Sequence, residues 1–186
     1  MLTCCNLCYP LSWHQIGADI DGGAVNVLSG YSVSLSSDGS RMAIGAPGNS
    51  LNTASYSGRV RVYEWNADIL PPSWQQVGDD IDGEAFGDYS GYSVSLSNNG
   101  TVLAIGARFN TPGNGDDYYQ SGHVRVYEWN ADTSDWVQKG TDIDGEAAFN
   151  YSGSSVSLSS DGTILAIGAR YNIGNGSYYH MTPMFC

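Results

Sequence analysis

The sequence is poor in positive charge and has no long apolar run. Of its 186 residues only 7 are Lys or Arg, a single lysine (Lys139) among them, against 19 acidic residues, which gives a formal net charge of −12. Phosphate backbones and anionic membrane surfaces attract clusters of positive charge, so nucleic acids and anionic lipid surfaces are excluded as partners. No apolar run approaches the roughly 20 residues that span a bilayer as a helix, so we expect no membrane insertion.

Cysteine is absent from the body of the chain, and with it any disulfide framework for a core. The four cysteines lie at positions 4, 5, 8 and 186, while hydrophobic residues make up 41% of the sequence, enough for a buried core. Residues 1–12 lack the basic start and the unbroken apolar segment of a signal peptide. We therefore expect residues 1–12 to form an unstructured N-terminal tail and residues 13–186 to form the folded part.

Three copies of one sequence unit cover nearly the whole chain. The units start near residues 13, 74 and 136 with WHQIGADIDGGA, WQQVGDDIDGEA and WVQKGTDIDGEA, so their tryptophans are 61 and 62 residues apart. A serine-rich segment follows in each copy (SGYSVSLSSDG, SGYSVSLSNNG, SGSSVSLSSDG), and then a small apolar one (MAIGA, LAIGA, LAIGA). The first two copies close with VRVYEWNAD, and the third ends before that segment. Such a period is typical of propellers and related arrays.

Each unit is interpreted as four short antiparallel strands, and no helical period of useful length occurs. Serines alternate with aliphatic residues over 32–36, as in a strand with one small polar face, which we call strand A. The AIGA segment is strand B, VRVYEW is strand C, and the segment from Trp74 to Ile81 is strand D. Strands A and B are separated by dipeptides that predict tight hairpins of the primed type: Asp38-Gly39, Asn99-Gly100 and Asp161-Gly162.

The distribution of small and large side chains predicts a propeller. Alanine and glycine in strand B would let inner strands approach closely, while Tyr63, Trp65, Tyr127 and Trp129 would fill the wider outer part of each blade. The predicted fold class is all-β, with tandem four-stranded antiparallel blades of an incomplete β-propeller; a long sandwich is the alternative. The pattern contains eleven strands, just under three blades, whereas propellers close with roughly four to eight. We therefore expect further blades from a longer chain or from a second copy.

The run GYSVSL…AIGAP…SGRVRVY resembles the FG-GAP repeat of integrin α-subunit propellers, over roughly residues 13–170. Gly45-Ala46-Pro47 is an intact GAP motif, and the family's second motif glycine corresponds to Gly30, Gly91 and Gly153, each preceded by serine in place of phenylalanine. The resemblance implies a propeller blade outside the cell that acts in binding or adhesion. The family's calcium loop between strands A and B is missing, because a turn of four residues cannot supply the roughly six to eight oxygens that calcium takes.

Acidic residues are concentrated in the connections from strand D to strand A. Alternating carboxylates in a glycine-bearing loop can hold a hard cation, and they can equally serve as turn residues that bond nearby backbone N–H groups. The sequence requires no cofactor. If calcium binds, we expect it at one of two sets, Asp80, Asp82 and Glu84 or Asp142, Asp144 and Glu146.

The long connections from strand B to strand C add aromatic and amide groups. In an antiparallel four-stranded blade these connections emerge on the same side as those from D to A. Loops on a rigid scaffold commonly carry binding, and aromatic, amide and carboxylate groups suit sugars, peptides or cation-bridged partners. The predicted binding residues are Asp88, Tyr89, Phe109, Asn110, Asp116, Asp117, Tyr118 and Tyr119.

These features predict a non-enzymatic binding or adhesion module, extracellular or at a cell surface, with a protein or carbohydrate ligand on this side of the blades. No catalytic residue is predicted, because no serine elbow, HExxH motif or phosphate loop occurs, and because an active site normally breaks the symmetry of its repeats. Two alternatives stay open: a propeller hydrolase or lyase that uses loop carboxylates, and an intracellular scaffold of WD-repeat type.

Overall fold

The computed structural model describes residues 5–8, 12–49, 56–111, 119–172 and 183–185. These residues form fifteen β-strands and no helix, and all the strand pairs are antiparallel. None of the described residues belongs to a helix that is long and apolar enough to cross a membrane. The prediction of an all-β chain is confirmed.

The first two strands form a separate pair. Strand β1 (Cys5–Cys8) runs antiparallel to β2 (Ser12–Gln15), with Leu7 opposite Trp13. The sequence analysis expects residues 1–12 to be unstructured, and the structure differs because β1 pairs with the strand that opens the first repeat unit. Pairing of this kind depends on an available sheet edge and leaves little trace in local composition.

Two complete blades have the predicted order of strands. The first blade consists of β3 (Ser32–Leu35), β4 (Arg41–Ala46), β5 (Arg59–Asn66) and β6 (Ser73–Gln76), with β7 (Ile81–Asp82) also paired to β5. The second consists of β8 (Ser93–Leu96), β9 (Val102–Ala107), β10 (His123–Asn130) and β11 (Asp135–Gln138), with β12 (Ile143–Asp144) also paired to β10.

The third blade has one strand more than predicted. Strands β13 (Ser155–Leu158) and β14 (Leu165–Gly168) are the expected A and B strands, and β15 (Pro183–Phe185) pairs with β14 in the position of strand C. The sequence of β15 has nothing in common with VRVYEW, so the repeat pattern could not reveal it. The prediction that the third copy supplies two strands is therefore wrong.

Strand D is divided into two short strands. In the first blade β6 pairs with one half of β5 and β7 with the other half, and Gly78 lies between them with a φ of +75°. A Cβ on Gly78 would lie 2.8 Å from the Trp136 ring of the next blade. The predicted continuous strand from Trp74 to Ile81 is thus interrupted where the chain passes under the neighbouring tryptophan.

The turns between strands A and B are longer than the primed hairpins predicted from the sequence. The Ser36 N–H donates to the Arg41 carbonyl at 2.9 Å, and only Gly39 of the intervening residues has a positive φ. The Asp38 carboxylate accepts hydrogen bonds from the Ser36 hydroxyl at 2.7 Å and from the Ser40 N–H at 2.9 Å. A two-residue primed turn needs positive φ at both central residues (type I′) or at the first (type II′), whereas four residues separate Ser36 from Arg41 here and the aspartate side chain closes the turn.

Strand A of each blade packs against strand A of the next. The Ser32 hydroxyl donates to the Gly91 carbonyl at 2.8 Å, and the Leu96 N–H donates to the Ser34 hydroxyl at 2.9 Å. Ser93 and Ser95 make the equivalent bonds to the third blade. The serines therefore satisfy backbone groups between blades.

Small residues of strand B permit this close packing, as predicted. A side chain on Gly45 would collide with the Gly91 carbonyl, and one on Gly106 would collide with the Gly153 carbonyl. The core contains aliphatic side chains of strands B and C that are at most 1% exposed: Val60, Val62, Leu103 and Ile105.

The array is an incomplete propeller with an open face on the first blade. Val33 and Leu35 on β3 are 49% and 56% exposed, whereas their counterparts on β8, Val94 and Leu96, are 9% and 7% exposed because they pack against the first blade. The first blade therefore presents the same apolar surface that the second blade buries.

Candidate active site

The D-to-A and B-to-C connections meet on one side of the array, as predicted. Gly58 forms an isolated bridge with Ser90, and Gly122 forms one with Ser152. Each B-to-C connection therefore ends against the D-to-A connection that follows it. We call this side the loop face; its described residues are 22–31, 47–49, 56–58, 83–92, 108–111, 119–122, 145–154 and 169–172.

In the first blade, arginines neutralise the acidic motif beside the loop face. Arg59 contacts Asp80 at 2.5 Å and Asp82 at 2.6 Å, and Arg61 contacts Asp80 at 2.9 Å. Burial by itself would raise the pKa of Asp80, but hydrogen bonds from Arg61 and Gln76 outweigh burial and lower the pKa. Both aspartates therefore lie in ion pairs with arginine.

In the second blade, a buried histidine replaces the first of these arginines. His123 occupies the position of Arg59 at the start of strand C and is 2% exposed. Its Nδ1 lies 3.8 Å from Asp142 Oδ2 and 4.0 Å from Asp144 Oδ1, beyond hydrogen-bonding distance. Burial, reinforced by the charge of Arg125, lowers the pKa of His123 to about 4, so the ring is uncharged at neutral pH. Within the described residues neither aspartate has a lysine or arginine partner.

Glu84 reaches this position from the preceding D-to-A connection. One oxygen each from Glu84 and Asp142 and one ring nitrogen of His123 all lie within 4.8 Å of one another. Arg125 approaches Glu84 at 3.5 Å while it donates to the Asp82 carbonyl at 2.7 Å. Burial raises the pKa of Glu84 against the effect of Arg125, and the neighbouring carboxylates raise it further. Burial and the charge of Asp142 also raise the pKa of Asp144.

The Glu84–His123–Asp142 group occurs once in the described part of the chain. The corresponding positions of the first blade hold Gly23, Arg59 and Asp80, so that blade has neither the glutamate nor the histidine. From the sequence, His123 is only a strand position that varies from Arg59, and no function is predicted for it. The sequence does contain one indication of the site: the exchange of Arg59 in the first copy for His123 in the second. This exchange lies where two acidic loops meet.

In neither of the two carboxylate sets predicted for calcium do all three side chains meet at one point. Asp80 and Asp82 face Arg59, whose positive charge opposes a cation there. Glu84 joins Asp142 from the other set, and Glu146 lies 3.5 Å from the Asn172 amide nitrogen. Calcium binding stays a prediction.

The predicted binding residues divide into buried and surface groups. Asp88 and Asn110 are 2% and 6% exposed, so they support the loop internally instead of facing a ligand. Asp88 accepts a hydrogen bond from the Ala85 N–H at 2.8 Å, and burial raises the pKa of its carboxyl. Tyr119 is 48% exposed and contacts the ring of Phe149. Asp116, Asp117 and Tyr118 lie outside the described residues.

Tyr89 and Phe109 belong to a row of aromatic rings that crosses the loop face from blade to blade. Tyr56 stacks on Tyr89 with ring centroids 5.2 Å apart, and Tyr89 meets Phe109 at 5.0 Å. Phe109 meets Tyr151 at 5.4 Å, and Tyr151 meets Tyr171 at 5.4 Å. We call these five residues the aromatic row. Two of the five, Tyr89 and Phe109, are among the binding residues predicted from the sequence, whereas the continuous series of rings is not predicted.

No family model and no curated protein matches the sequence, so the FG-GAP resemblance stays a prediction. Among the solved structures similar to this chain is the periplasmic gluconolactonase PpgL of Pseudomonas aeruginosa, with 17% identity, a TM-score of 0.45, and coverage of 75% of this chain and 36% of that protein. Another is the hydrazine synthase of Kuenenia stuttgartiensis, with 14% identity, a TM-score of 0.43, and coverage of 82% of this chain and 44% of that chain. This chain thus spans less than half the length of either.

Both similar structures are named as enzymes. The prediction of a non-enzymatic adhesion module is corrected on this finding, as is the prediction that the protein is not an enzyme. The likenesses are too distant to indicate a reaction, so the reaction proposed below rests on the geometry of the Glu84–His123–Asp142 group.

Proposed function

We propose that the chain carries the reaction centre of a propeller hydrolase that cleaves glycosidic bonds with the carboxyl groups of Glu84 and Asp142. The observation that carries the proposal is the approach of these two groups within 4.8 Å beside a buried, uncharged histidine. Hydrolysis at an acetal carbon needs one group that protonates the leaving oxygen and another that stabilises or attacks the carbon. Two carboxyl groups can supply both.

The separation favours a double-displacement reaction. In glycosidases that retain configuration the two carboxyl groups are about 5 to 5.5 Å apart, whereas inverting enzymes keep them about 6.5 to 9.5 Å apart to admit a water molecule. Oxygens of Glu84 and Asp142 lie within 4.8 Å. This spacing is closer to that of the retaining enzymes, which supports direct attack by a carboxylate.

The environments of the two groups assign their roles. Burial raises the pKa of Glu84, so of the two groups we assign the role of acid to Glu84. One oxygen of Asp142 accepts a hydrogen bond from Gln138 at 2.7 Å, and the other, Oδ2, is the oxygen that faces His123. Glu84 donates its proton to the glycosidic oxygen as the bond from that oxygen to the sugar carbon breaks, and Asp142 Oδ2 forms a bond to the same carbon. Glu84 then takes a proton from a water molecule that attacks the carbon and releases Asp142.

The loss of repeat symmetry at this position supports a catalytic role. In the first blade Arg59 pairs with both aspartates of the loop, whereas His123 in the second blade leaves Asp142 and Asp144 without an arginine partner. Burial and the charge of Asp142 raise the pKa of Asp144, so the ionised form of Asp144 lowers the stability of the folded state. A feature that costs stability and departs from the repeat is expected where it serves a reaction.

Replacement of the two carboxyl groups tests the proposal. Glu84→Gln and Asp142→Asn are expected to reduce the release of reducing ends from a panel of neutral polysaccharides by about 100-fold to 10,000-fold. Glu146→Gln is the matched control, since Glu146 is the counterpart of Glu84 in the next copy and lies outside the group. The proposal is wrong if the wild-type protein, assayed with its remaining blades, hydrolyses no member of the panel, or if Glu84→Gln keeps wild-type rates.

We also propose that the protein acts outside the cytoplasm and that further blades, from a longer chain or a second copy, cover the open face of the first blade. The exposed Val33 and Leu35 support the second point, since their counterparts are buried between blades. Polysaccharides outside the cytoplasm would be the substrates that such a location makes available. Protease accessibility of the full-length protein on intact cells would separate an exterior location from an interior one.

A further inference from the structure

We infer that the aromatic row is a binding site for an uncharged oligosaccharide chain, which it would hold across several sugar rings beside the Glu84–His123–Asp142 group. The inference rests on the proposed function and adds the substrate class to it. Four observations carry it: the cost of the backbone conformation, the exposure of the rings, the charge of the loop face, and the connection to the carboxyl groups.

The backbone of the row adopts a conformation that aromatic residues disfavour. Tyr56, Tyr89 and Tyr151 have φ values of +66°, +55° and +54°. Glycine or asparagine adopts this left-handed region at lower cost, and a bulky residue there is an outlier. The position equivalent to Tyr89 and Tyr151 in the first repeat is Leu28, which also has a positive φ, so the fold requires the conformation but not the ring. The formation of the turn therefore does not explain why Tyr89 and Tyr151 carry aromatic rings.

The rings are only partly covered by one another. Tyr56 and Tyr171 at the two ends are 42% and 43% exposed. The three contacts from Tyr89 to Tyr171 are edge-to-face, with interplanar angles of 64°, 89° and 67°, so these rings meet through an edge and are not stacked face to face. Apolar ring faces with phenolic hydroxyls at their rim suit the apolar faces and hydroxyl groups of pyranose rings.

The charge of the loop face selects an uncharged ligand. Glu84 belongs to the same D-to-A connection as Tyr89, one of its oxygens lies within 4.8 Å of an oxygen of Asp142, and the whole chain has a net charge of −12. Two arginines contact rings of the row: Arg108 lies over the Phe109 ring at 4.2 Å and also over the Tyr92 ring at 4.0 Å, and the exposed Arg170 lies over the Tyr171 ring at 5.4 Å. These two positive charges do not offset the acidic surroundings, so polyanionic polysaccharides are expected to be repelled.

A single rigid turn joins the row to the carboxyl groups. Glu84 and Tyr89 are five residues apart in one D-to-A connection, and the buried Asp88 closes this turn through the Ala85 N–H at 2.8 Å. The Tyr89 N–H donates to the Tyr56 carbonyl at 2.9 Å, which fixes the start of the row to the same loop. A sugar chain on the row would therefore be positioned relative to Glu84 by the folded backbone.

The test measures binding in a variant that cannot turn over its ligand. In the Glu84→Gln background, isothermal titration with cellohexaose, laminarihexaose and mannohexaose is expected to show binding of at least one neutral hexasaccharide and none of hexagalacturonate. Tyr89→Asn and Tyr151→Asn remove a ring while keeping a residue that accepts the left-handed backbone, and each is expected to weaken binding about tenfold. Tyr171→Ala, at the exposed end of the row, is a second variant with little effect on folding. Phe86→Ala is the control, because Phe86 is 72% exposed on the same connection and lies outside the row.

The outcomes separate this inference from the proposed function. Binding that the row variants weaken, without hydrolysis by the wild type, would support the row and overturn the hydrolase. Hydrolysis with a KM unchanged in Tyr89→Asn, Tyr151→Asn and Tyr171→Ala would overturn the row and leave the hydrolase. Binding of none of the neutral hexasaccharides, preference for hexagalacturonate, or equal losses in Phe86→Ala would each overturn the row.

Discussion

At the scale of single residues, one exchange between repeat copies changes the chemistry of a whole loop. Arg59 holds Asp80 and Asp82 in ion pairs, and His123 at the same position leaves Asp142 and Asp144 unpaired beside an uncharged ring. Both residues are polar and both lie at the start of strand C, so the sequence shows the exchange but not its consequence. The acidic residues could be predicted from the sequence, whereas the meeting of Glu84 with Asp142 depends on the packing of consecutive blades.

Replacement of His123 by arginine, the residue at the equivalent position of the first blade, is expected to abolish most of the hydrolytic activity. In His123→Arg the guanidinium should pair with Asp142 and Asp144 as Arg59 pairs with its own aspartates, and the pKa of Asp144 should fall from its raised value. Hydrolysis is then expected to fall at least 100-fold, with a melting temperature equal to or above that of the wild type. His123→Gln, which adds no charge, serves as the control and should lose less activity. Full activity in His123→Arg would show that hydrolysis does not need Asp142 and Asp144 to be free of ion pairs.

At the scale of elements, the period-two pattern predicts the strands. The dipeptide motifs predict where the turns between strands A and B lie but not the conformation of these turns. Aspartate and glycine correctly mark the connection between strands A and B, but the turn is closed by the Asp38 side chain and not by two residues of positive φ. The second copy has Asn99 at this position, and its amide oxygen accepts the same bonds from the Ser97 hydroxyl at 2.7 Å and the Thr101 N–H at 3.1 Å. The turn therefore needs an acceptor oxygen and not a charge. Strand β15 was beyond prediction because its pairing is set by the free edge of β14.

This equivalence predicts how acid affects stability. Hydrogen bonds from Ser40 and Ser36 lower the pKa of Asp38 to about 2, and bonds from Ser159 and Thr163 do the same for Asp161. The carboxylates thus stabilise the folded state above the ordinary aspartate pKa of 3.8, and the contribution is lost as the pH falls toward 2. Asp38→Asn should keep the turn and reduce the loss of stability between pH 4 and pH 2, measured by urea unfolding. Asn99→Asp should increase it. An unchanged pH dependence in both variants would contradict the role of these bonds.

At the scale of the whole molecule, repetition places chemically identical surfaces in different surroundings. The surface formed by Val94 and Leu96 is buried against the first blade, and the same surface formed by Val33 and Leu35 is exposed. The sequence predicts the blades, since small residues in strand B and serines in strand A suit close packing. It does not predict the aromatic row, because the row is made of residues from separate connections that meet only after the blades have packed.

Matched alanine substitutions measure this difference in surroundings. Leu96→Ala removes a side chain buried between blades and is expected to lower the free energy of unfolding by about 2 to 4 kcal/mol. Leu35→Ala changes the equivalent exposed residue and is expected to lower it by less than about 1 kcal/mol. Urea unfolding at a concentration where the protein is monomeric is the measurement. Equal losses would mean that another blade already covers β3.

Glu84 and Asp142 are proposed to act as a pair that is close enough for direct attack on a sugar carbon. The anomeric configuration of the first product, followed by ¹H NMR during hydrolysis of a neutral oligosaccharide by the wild-type protein, tests this pairing. Because oxygens of the two groups lie within 4.8 Å, we expect the product to keep the configuration of the substrate. A product of inverted configuration, or one formed at an undiminished rate by Asp142→Asn, would contradict the proposed pairing.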